Sequence, residues 1–326
     1  MRRKLAPVFL LDEPHYHRLR PGAMNRFRGF ALAVDGSDID TISAGPITVA
    51  CNLPSPDVAT LVRIPRAANC RFDFAMRYDE PFDFVANDEV LWRYEPRPID
   101  VPVDLPLPPG EVIAVTQGGT DVESYKNSIL SGLTTMKAIL PADPRDVLDI
   151  GCGTARMLVG WYADNPARHL AGVDINPDLI AWNQQHLPTV ATWHVSAIEP
   201  PLPFADTSFD LVQLISVFTH LPLHLQRAWI DEIRRLLRPD GHAVVTLHGE
   251  IYAALMLDER LQHQLELDGH LSIAGAAEGA NAFASFHMPW FAHELFRDFG
   301  VTFYERGPKN LFPIASLQDV YVLNRL

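Results

Sequence analysis

Residues 147–156 read Val-Leu-Asp-Ile-Gly-Cys-Gly-Thr-Ala-Arg. The residues before the first glycine are mostly apolar and partly β-branched, which is typical of a strand buried on both faces of a parallel sheet. Gly151 and Gly153 carry no Cβ, so they allow a tight turn and a close approach of the backbone to a ligand. Because a helical pattern follows the turn, the stretch predicts a strand–turn–helix unit of an α/β sheet.

A second apolar run, residues 170–173, ends in Asp174. Ligands of open α/β sheets bind outside the carboxyl ends of the strands, where an acidic side chain can accept hydrogen bonds from both hydroxyls of a ribose. Together the two stretches predict a site for a cofactor that contains a nucleoside. A glycine turn alone is a weak signal, however, and an ordinary turn with a solvent-facing Asp174 is the alternative.

Strands and helices alternate through the rest of this half of the chain. Residues 209–217 and 243–247 predict buried strands, and the amphipathic residues 223–237 between them predict a helix. Such alternation predicts a parallel, doubly wound sheet. Residues 301–305 and 319–323 have no helix-length segment between them, so they predict a terminal antiparallel hairpin.

Six segments resemble those of class I S-adenosylmethionine-dependent methyltransferases, in the same order and at similar distances. They are residues 147–153, 172–176, 202–204, 208–212, 216–220 and 237–241. The resemblance covers the chain from about residue 115 onward. It implies an α/β, Rossmann-like sheet of seven strands that ends in an antiparallel hairpin, and S-adenosyl-L-methionine as the cofactor.

The resemblance also implies roles for individual residues. Asp149, Gly151 and Gly153 are expected to surround the methionine part of the cofactor, and Asp174 is expected to bind its ribose. An NAD-dependent dehydrogenase is disfavoured, because Arg156 stands where the dinucleotide fingerprint has its third glycine and because the terminal hairpin is foreign to that class.

The adenine end departs from the family pattern. The family often has an acid after the third strand, but residues 196–197 are Ser and Ala here, so Ile175 and Ile198 are expected to hold the adenine. In the segment before the sheet, Gln117 and Tyr125 are expected to reach the methionine carboxylate or the substrate. The alternative for Tyr125 is a capped helix that only packs on the sheet.

Three histidines, His220, His248 and His287, fall at or near the predicted carboxyl edge. Methyl transfer to a hydroxyl needs a base, and histidine titrates in the useful pH range. They are therefore the candidate catalytic residues, with His220 first, although each could be structural. A metal site with Glu250 is the less favoured alternative, because no close-spaced pair of ligands is visible; no metal is expected.

Residues 264–290 form a long insertion that is rich in alanine and glycine and carries several aromatic residues. Long insertions at this edge of a sheet commonly close over a substrate. The sequence leaves two interpretations open, a lid and a helical subdomain that packs on the sheet.

The first 105 residues have a different sequence pattern from the rest of the chain. Short runs that alternate apolar and polar residues are separated by turns, which predicts a mostly-β sandwich. Five prolines within residues 97–110 predict a stiff linker. We therefore expect an accessory β-sandwich domain with its linker in residues 1–105 and the methyltransferase domain in residues 106–326. The first domain loosely resembles modules found beside bacterial glycan-modifying enzymes, but protein docking or homodimerisation is favoured over sugar binding.

The composition narrows the substrate classes. A net charge of −13 without basic clusters argues against nucleic acid, and no apolar run is long enough for a membrane span. Three widely spaced cysteines do not suggest zinc or a disulfide framework. We expect a cytoplasmic protein, in which a disulfide between Cys51 and Cys70 is the less favoured alternative to free thiols. The sequence thus predicts an O-methyltransferase acting on a sugar, a glycan or glycolipid, or a small hydroxylated metabolite. The alternative is a catalytically silent scaffold with the same fold.

Overall fold

A computed structural model describes residues 5, 7–13, 22–35, 37–62, 64–77, 80–94, 104–117, 120–274, 283–305 and 317–326. Its strands are β1 Val8–Glu13, β2 Met24–Leu32, β3 Thr41–Ala44, β4 Ile47–Ala50, β5 Leu53–Pro54, β6 Asn69–Arg77, β7 Phe82–Ala86, β8 Glu89–Tyr94, β9 Asp146–Ile150, β10 His169–Asp174, β11 Thr192–Val195, β12 Phe209–Leu214, β13 Leu237–Leu247, β14 His270–Ala274, β15 Phe283–His287, β16 Phe299–Glu305 and β17 Asp319–Arg325. Its α-helices are α1 Pro56–Leu61, α2 Gly110–Gln117, α3 Val122–Ile139, α4 Arg156–Asp164, α5 Pro177–His186, α6 Leu223–Leu236, α7 Glu250–Met256, α8 Glu259–Asp268 and α9 Pro289–Leu295.

The C-terminal part is built on a sheet of seven strands in the order β11-β10-β9-β12-β13-β17-β16. The first five strands pair in parallel, whereas β17 runs antiparallel to both β13 and β16. The predicted Rossmann-like sheet and its terminal hairpin are therefore confirmed. At the carboxyl edge, the ends of β9, β10, β11 and β12 lie side by side.

Helices cover both faces of this sheet. Successive residues of a strand point to opposite faces, so Val147 packs in the core beneath α3, α4 and α5, while Leu148 packs in the core beneath α6 and α9. Both side chains are fully buried. Burial on both faces explains why these strands read as continuous apolar runs.

Two strand boundaries differ from the sequence expectation. β12 ends at Leu214 rather than at residue 217, and Ser216 has a φ of 60° where the chain leaves the sheet. A positive φ is costly for a residue with a side chain and is found preferentially at functional sites. β13 begins at Leu237, directly after α6, so residues 238–241 belong to the strand and do not separate it from the helix.

The insertion after β13 is not an all-helical subdomain. It contains α7 and α8, followed by the two antiparallel strands β14 and β15. The backbone N–H of His287 in β15 donates a 2.8 Å hydrogen bond to the carbonyl of His248 at the end of β13, which fixes the hairpin beside the carboxyl edge. Residues 275–282, which include two of the glycines expected to make a lid flexible, lie outside the described residues.

The N-terminal part contains two antiparallel sheets of four strands, β1-β2-β6-β5 and β4-β3-β7-β8. Phe9 and Phe27 of the first sheet share one apolar core with Phe84 and Tyr94 of the second. The expectation of a mostly-β region is thus confirmed. Residues 97–103 of the proline-rich segment lie outside the described residues.

The two parts of the chain also share an apolar cluster. Val8, Leu32 and Cys70 of the N-terminal sheet are buried together with Ile251 and Leu255 of α7. This contact surface was not expected from the sequence, because it joins segments about 200 residues apart. In the described part of the chain, every helix falls short of the length and apolarity that crossing a membrane requires.

Candidate active site

A cavity of about 700 Å³ opens at the carboxyl edge of the seven-stranded sheet. Its floor is the glycine turn after β9, and its sides are the ends of β10 and β12, the segment after β11, and residues of α2 and α3. This is the place at which open α/β sheets bind ligands.

The glycine turn has the conformation that its glycines permit. Gly151 and Gly153 have φ angles of 73° and 50°. A Cβ on Gly151 would lie 2.5 Å from Val217, and one on Gly153 would lie 2.8 Å from Thr116. Side chains at either position would therefore need both a strained backbone and a shift of the cavity wall.

Asp174 is tied to this turn. Its Oδ2 accepts a 2.8 Å hydrogen bond from the N–H of Gly153, and its Oδ1 accepts one of the same length from the N–H of Asn176. The carboxylate lines the cavity and is 9 % exposed. Each carboxylate oxygen has more than one acceptor site, so Asp174 can still accept hydrogen bonds from a ligand.

The part of the cavity at which the sequence predicts the adenine is lined by aliphatic side chains. Ile175 and Ile198 both line it, and Ile175 is 45 % exposed. Ser196 also lines the cavity, and it occupies the position at which the family often has an acid. Its backbone N–H donates a hydrogen bond to the carbonyl of Asp174. The arrangement offers two aliphatic side chains and backbone groups to a flat base.

Two predicted ligand contacts lie behind the wall of the cavity. The hydroxyl of Tyr125 donates a 2.6 Å hydrogen bond to the carbonyl of Thr154, and burial raises the pKa of Tyr125 to about 12. Asp149 is also buried, which raises the pKa of its carboxyl to about 7. The bond of Tyr125 holds the backbone just after the glycine turn, and Asp121 caps α3 by accepting a hydrogen bond from the N–H of Ser124. Gln117 ends α2, and its side chain lies outside the described residues.

Arg156, the first residue of α4, lines the cavity. Burial lowers the pKa of its guanidinium to about 10, while the nearby Tyr125 and Asp149 act in the opposite direction. The group therefore stays cationic at neutral pH and is available to an anionic part of a ligand. In the sequence, Arg156 stands out only as a departure from a glycine pattern. Its position at the start of the helix after the turn is the signal that could have predicted a ligand contact.

His220 is the histidine that lines the cavity. It ends a short 3₁₀ turn, Phe218–His220, that follows β12. Its Nδ1 lies 2.8 Å from the carbonyl oxygen of Phe283 in β15. Because a carbonyl can only accept, Nδ1 carries the proton in the neutral ring, and Nε2 is left with a lone pair. This is the tautomer that a general base needs.

His248 and His287 lie near His220 but behind the cavity wall. The rings of His220 and His248 are 6.3 Å apart and perpendicular. His287 donates from Nε2 to the amide oxygen of Gln226 at 2.8 Å. Burial lowers the pKa of His248 to about 3 and that of His287 well below its usual value, so both rings are neutral. The structure thus brings the three histidines together but gives only His220 access to a ligand.

Acidification should destabilise the protein through these buried rings. Unfolding exposes His248 and His287, which then take up protons near pH 6.5, whereas the folded protein keeps them neutral to much lower pH. Above pH 6.5 the two rings are neutral in both states and do not lower the free energy of unfolding. Below pH 6.5 each ring lowers the free energy of unfolding by about 1.4 kcal/mol per pH unit, because only the unfolded protein takes up the proton. Urea unfolding at pH 7 and at pH 5 measures the decrease in the free energy of unfolding between the two pH values. This decrease should be about 2 kcal/mol smaller in His248→Phe than in the unaltered protein. An equal loss in both proteins would contradict this account.

The described residues include no group of three or more His, Cys, Asp or Glu side chains that could hold a metal ion. Cys51, Cys70 and Cys152 are buried and carry free thiols. The thiol of Cys51 donates to the carbonyl of Cys70 at 3.0 Å, so these two residues are joined by a hydrogen bond.

Residues 148–245 match the family model described as a methyltransferase domain. Residues 148–245 thus carry a methyltransferase domain. The matched residues run from β9 into β13 and include the glycine turn, Asp174 and His220. The prediction of the enzyme class and of the cofactor is confirmed at the level of this domain.

Curated relatives are similar to the same region. A malonyl-acyl-carrier-protein O-methyltransferase of Hahella chejuensis is 33 % identical over 105 residues, which are 31 % of this chain and 36 % of that protein. An uncharacterized methyltransferase of Schizosaccharomyces pombe is 26 % identical over 136 residues, or 39 % of this chain and 48 % of that protein. The chain thus spans less than half the length of these relatives.

Solved methyltransferase structures are similar to part of this chain. The 1,6-didemethyltoxoflavin-N1-methyltransferase of Burkholderia thailandensis, with bound 1,6-didemethyltoxoflavin and S-adenosylhomocysteine, is 19 % identical, with a TM-score of 0.45 over 71 % of this chain and 99 % of that one. A phosphoethanolamine N-methyltransferase of Haemonchus contortus is 16 % identical, with a TM-score of 0.45 over 65 % of this chain and 46 % of that one.

Proposed function

We propose that the protein is an S-adenosylmethionine-dependent O-methyltransferase whose acceptor is a small hydroxylated molecule or a sugar, free or within a glycan or glycolipid. The observation that carries the proposal is His220. It lines the cavity beside the glycine turn, and its Nδ1–H is held by the carbonyl of Phe283, which leaves Nε2 able to accept a proton. A base at this place is what methyl transfer to a hydroxyl requires.

The donor set of the cavity fits the cofactor. Arg156 would bind the methionine carboxylate, because it is a partly buried cation on the cavity wall. Asp174 would accept hydrogen bonds from the ribose hydroxyls, and Ile175 and Ile198 would enclose the adenine. Gly151 and Gly153 would bring the backbone close to the methionine part. These groups support one orientation of the ligand, with its methionine end on the glycine turn.

The residues would act on the acceptor in three ways. When bound, the sulfonium cofactor supplies an electrophilic methyl group. Nε2 of His220 would take the proton of the acceptor hydroxyl as the new bond to oxygen forms. The apolar side chains of Ile215 and Leu221, which also line the cavity, would exclude water and orient the acceptor, which lowers the entropic part of the barrier.

A carboxylate acceptor is the second candidate. It is favoured by the 33 % identity to an O-methyltransferase named for a malonyl group. A carboxylate is already anionic and needs no base, so the two candidates differ in what they require of His220.

The primary test of the proposal is ligand binding. Titration calorimetry of the full chain should show micromolar binding of S-adenosylmethionine and of S-adenosylhomocysteine. NAD should not bind, because Arg156 replaces the glycine that a dinucleotide turn needs. If neither sulfur nucleoside binds, the enzyme proposal fails; if both bind without turnover on any acceptor class, the scaffold alternative is favoured.

The division of the chain at residues 105 and 106 also stays a prediction. A sandwich of the two N-terminal sheets is supported by the core that they share. Docking or dimerisation through this domain, and a cytoplasmic location, remain predictions as well.

A further inference from the structure

The helix α7 lies between the N-terminal sheets and the histidines of the site. On one side, Ile251 and Leu255 are each 1 % exposed and belong to one apolar cluster with residues of β1, β2 and β6. A crevice at the same place is lined both by Val34, which follows β2, and by Ala253 and Ala254 of α7. The helix is therefore held by the N-terminal domain.

On an adjacent face, α7 presents an aromatic ring to the histidines of the site. Tyr252 stacks on His248 with ring centroids 3.9 Å apart and planes only 7° from parallel. His248 in turn meets His220 edge to face. Such ring pairs favour defined mutual orientations. A continuous series of contacts thus runs from the N-terminal sheets through α7 and two rings to the histidine that lines the cavity.

Among the described residues, only Nδ1 of the His220 ring has a hydrogen-bond partner. The hydrogen bond from Nδ1 to Phe283 fixes the tautomer but leaves the ring free to tilt about that bond. His248 closes one side of the ring. β15 is itself fixed, since the hydroxyl of Ser285 donates a 2.7 Å hydrogen bond to the carbonyl of Leu221, next to His220.

We propose that the N-terminal domain acts as a support for the active site: by holding α7 it fixes Tyr252 and His248, and these two positioning residues hold the ring of His220 toward the acceptor. The inference rests on the proposed role of His220 as the base. It gives the N-terminal domain a part in catalysis, although that domain would bind no ligand itself. It also gives His248 a role as a flat ring and not as a proton acceptor.

The first test separates ring shape from titration in the full-length protein. Tyr252→Phe and His248→Phe keep a flat ring, and we expect both to retain most of the turnover. Tyr252→Leu and His248→Leu remove the ring, and kcat should fall about 10- to 100-fold, which is the effect of misplacing a reacting group by about 1 Å. The affinity for S-adenosylhomocysteine should stay unchanged in all four. If His248→Phe is as impaired as His248→Leu, the imidazole itself is required and the proposal is wrong.

The second test addresses the N-terminal domain and does not depend on turnover. Ile251→Val removes one methyl group at the contact between α7 and the N-terminal sheets. Ile42→Val makes the same change at a fully buried position of the N-terminal core that lies away from α7. Imidazole nitrogen NMR should show a shifted His220 signal in Ile251→Val but not in Ile42→Val.

Two outcomes of the NMR experiment overturn the inference. One is an unchanged His220 signal in Ile251→Val and also in the larger truncation Ile251→Ala. The other is an equal shift in Ile42→Val and Ile251→Val, which would indicate a general loss of packing. Because the signal is read without an acceptor, failure of the proposed methyl transfer leaves this test intact, and the two failures are distinguishable.

Discussion

Replacing His220 by alanine should lower the rate of methyl transfer to a hydroxyl by about 10² to 10⁴ and leave the affinity for S-adenosylmethionine nearly unchanged. The ring lines the cavity, and the backbone near it is held by other contacts: its own N–H donates to the carbonyl of Val217, and Gln226 donates to the carbonyls of Phe218 and Leu221. The variant should therefore keep its fold and its cofactor site. It loses the group that accepts the proton of the acceptor.

The measurement is single-turnover methyl transfer beside calorimetric cofactor affinity, with His287→Asn as the matched control. His287 is a fully buried neighbour that bonds Gln226 and lies behind the cavity wall, so its replacement should affect stability more than rate. Full activity of His220→Ala on a hydroxyl acceptor would remove this residue from the chemistry. Full activity on a carboxylate acceptor alone would favour the second candidate function. Loss of cofactor binding would show that His220 supports the fold.

The sequence was sufficient for the parts of the site that depend on backbone geometry. A strand, a glycine turn and an acid at the end of the next strand have one arrangement in a parallel sheet, so Gly151, Gly153 and Asp174 could be placed together before any coordinates were known. The terminal hairpin followed from the length of the connection between its strands. Both are local or topological properties, and the structure agrees with them.

Whether a polar side chain lines the cavity or is buried behind its wall could not be predicted in the same way. Tyr125 and Asp149 occupy the expected elements but point behind the cavity wall, because each strand or helix offers two faces and the pattern of apolar residues does not say which polar side chain reaches the cavity. Arg156 is the opposite case. The sequence pattern marks it only as the position of a missing glycine and predicts no ligand contact, yet it lines the cavity.

Long-range packing was the second kind of information that the sequence lacked. His220, His248 and His287 could be assigned to one edge of the sheet, but their different access to the cavity depends on β15, which contains His287 and is hydrogen-bonded to both His220 and His248. The contact of α7 with the N-terminal sheets has the same origin. Apolar residues at helical spacing in α7 predict a buried face but not the partner that buries it.

Replacing Asp174 by alanine should weaken binding of S-adenosylhomocysteine by about 1 to 3 kcal/mol, or about 5- to 150-fold, through lost hydrogen bonds to the ribose. Arg156→Leu should weaken the same ligand by loss of its partner for the carboxylate. The two effects can be separated with methylthioadenosine, which has the ribose but lacks the carboxylate. Asp174→Ala should weaken both ligands, whereas Arg156→Leu should weaken only S-adenosylhomocysteine.

The control for Asp174 is Asp178→Ala, an exposed acid in the first turn of α5 just beyond the cavity, which should bind both ligands as the unaltered protein does. Asp174 also holds the N–H groups of Gly153 and Asn176, so thermal unfolding without ligand must accompany the titrations. If Asp174→Ala loses stability but binds methylthioadenosine normally, the carboxylate only shapes the glycine turn. If its binding falls while the unfolding temperature changes little, the ribose contact is established, because a residue that merely held the turn would affect both quantities together.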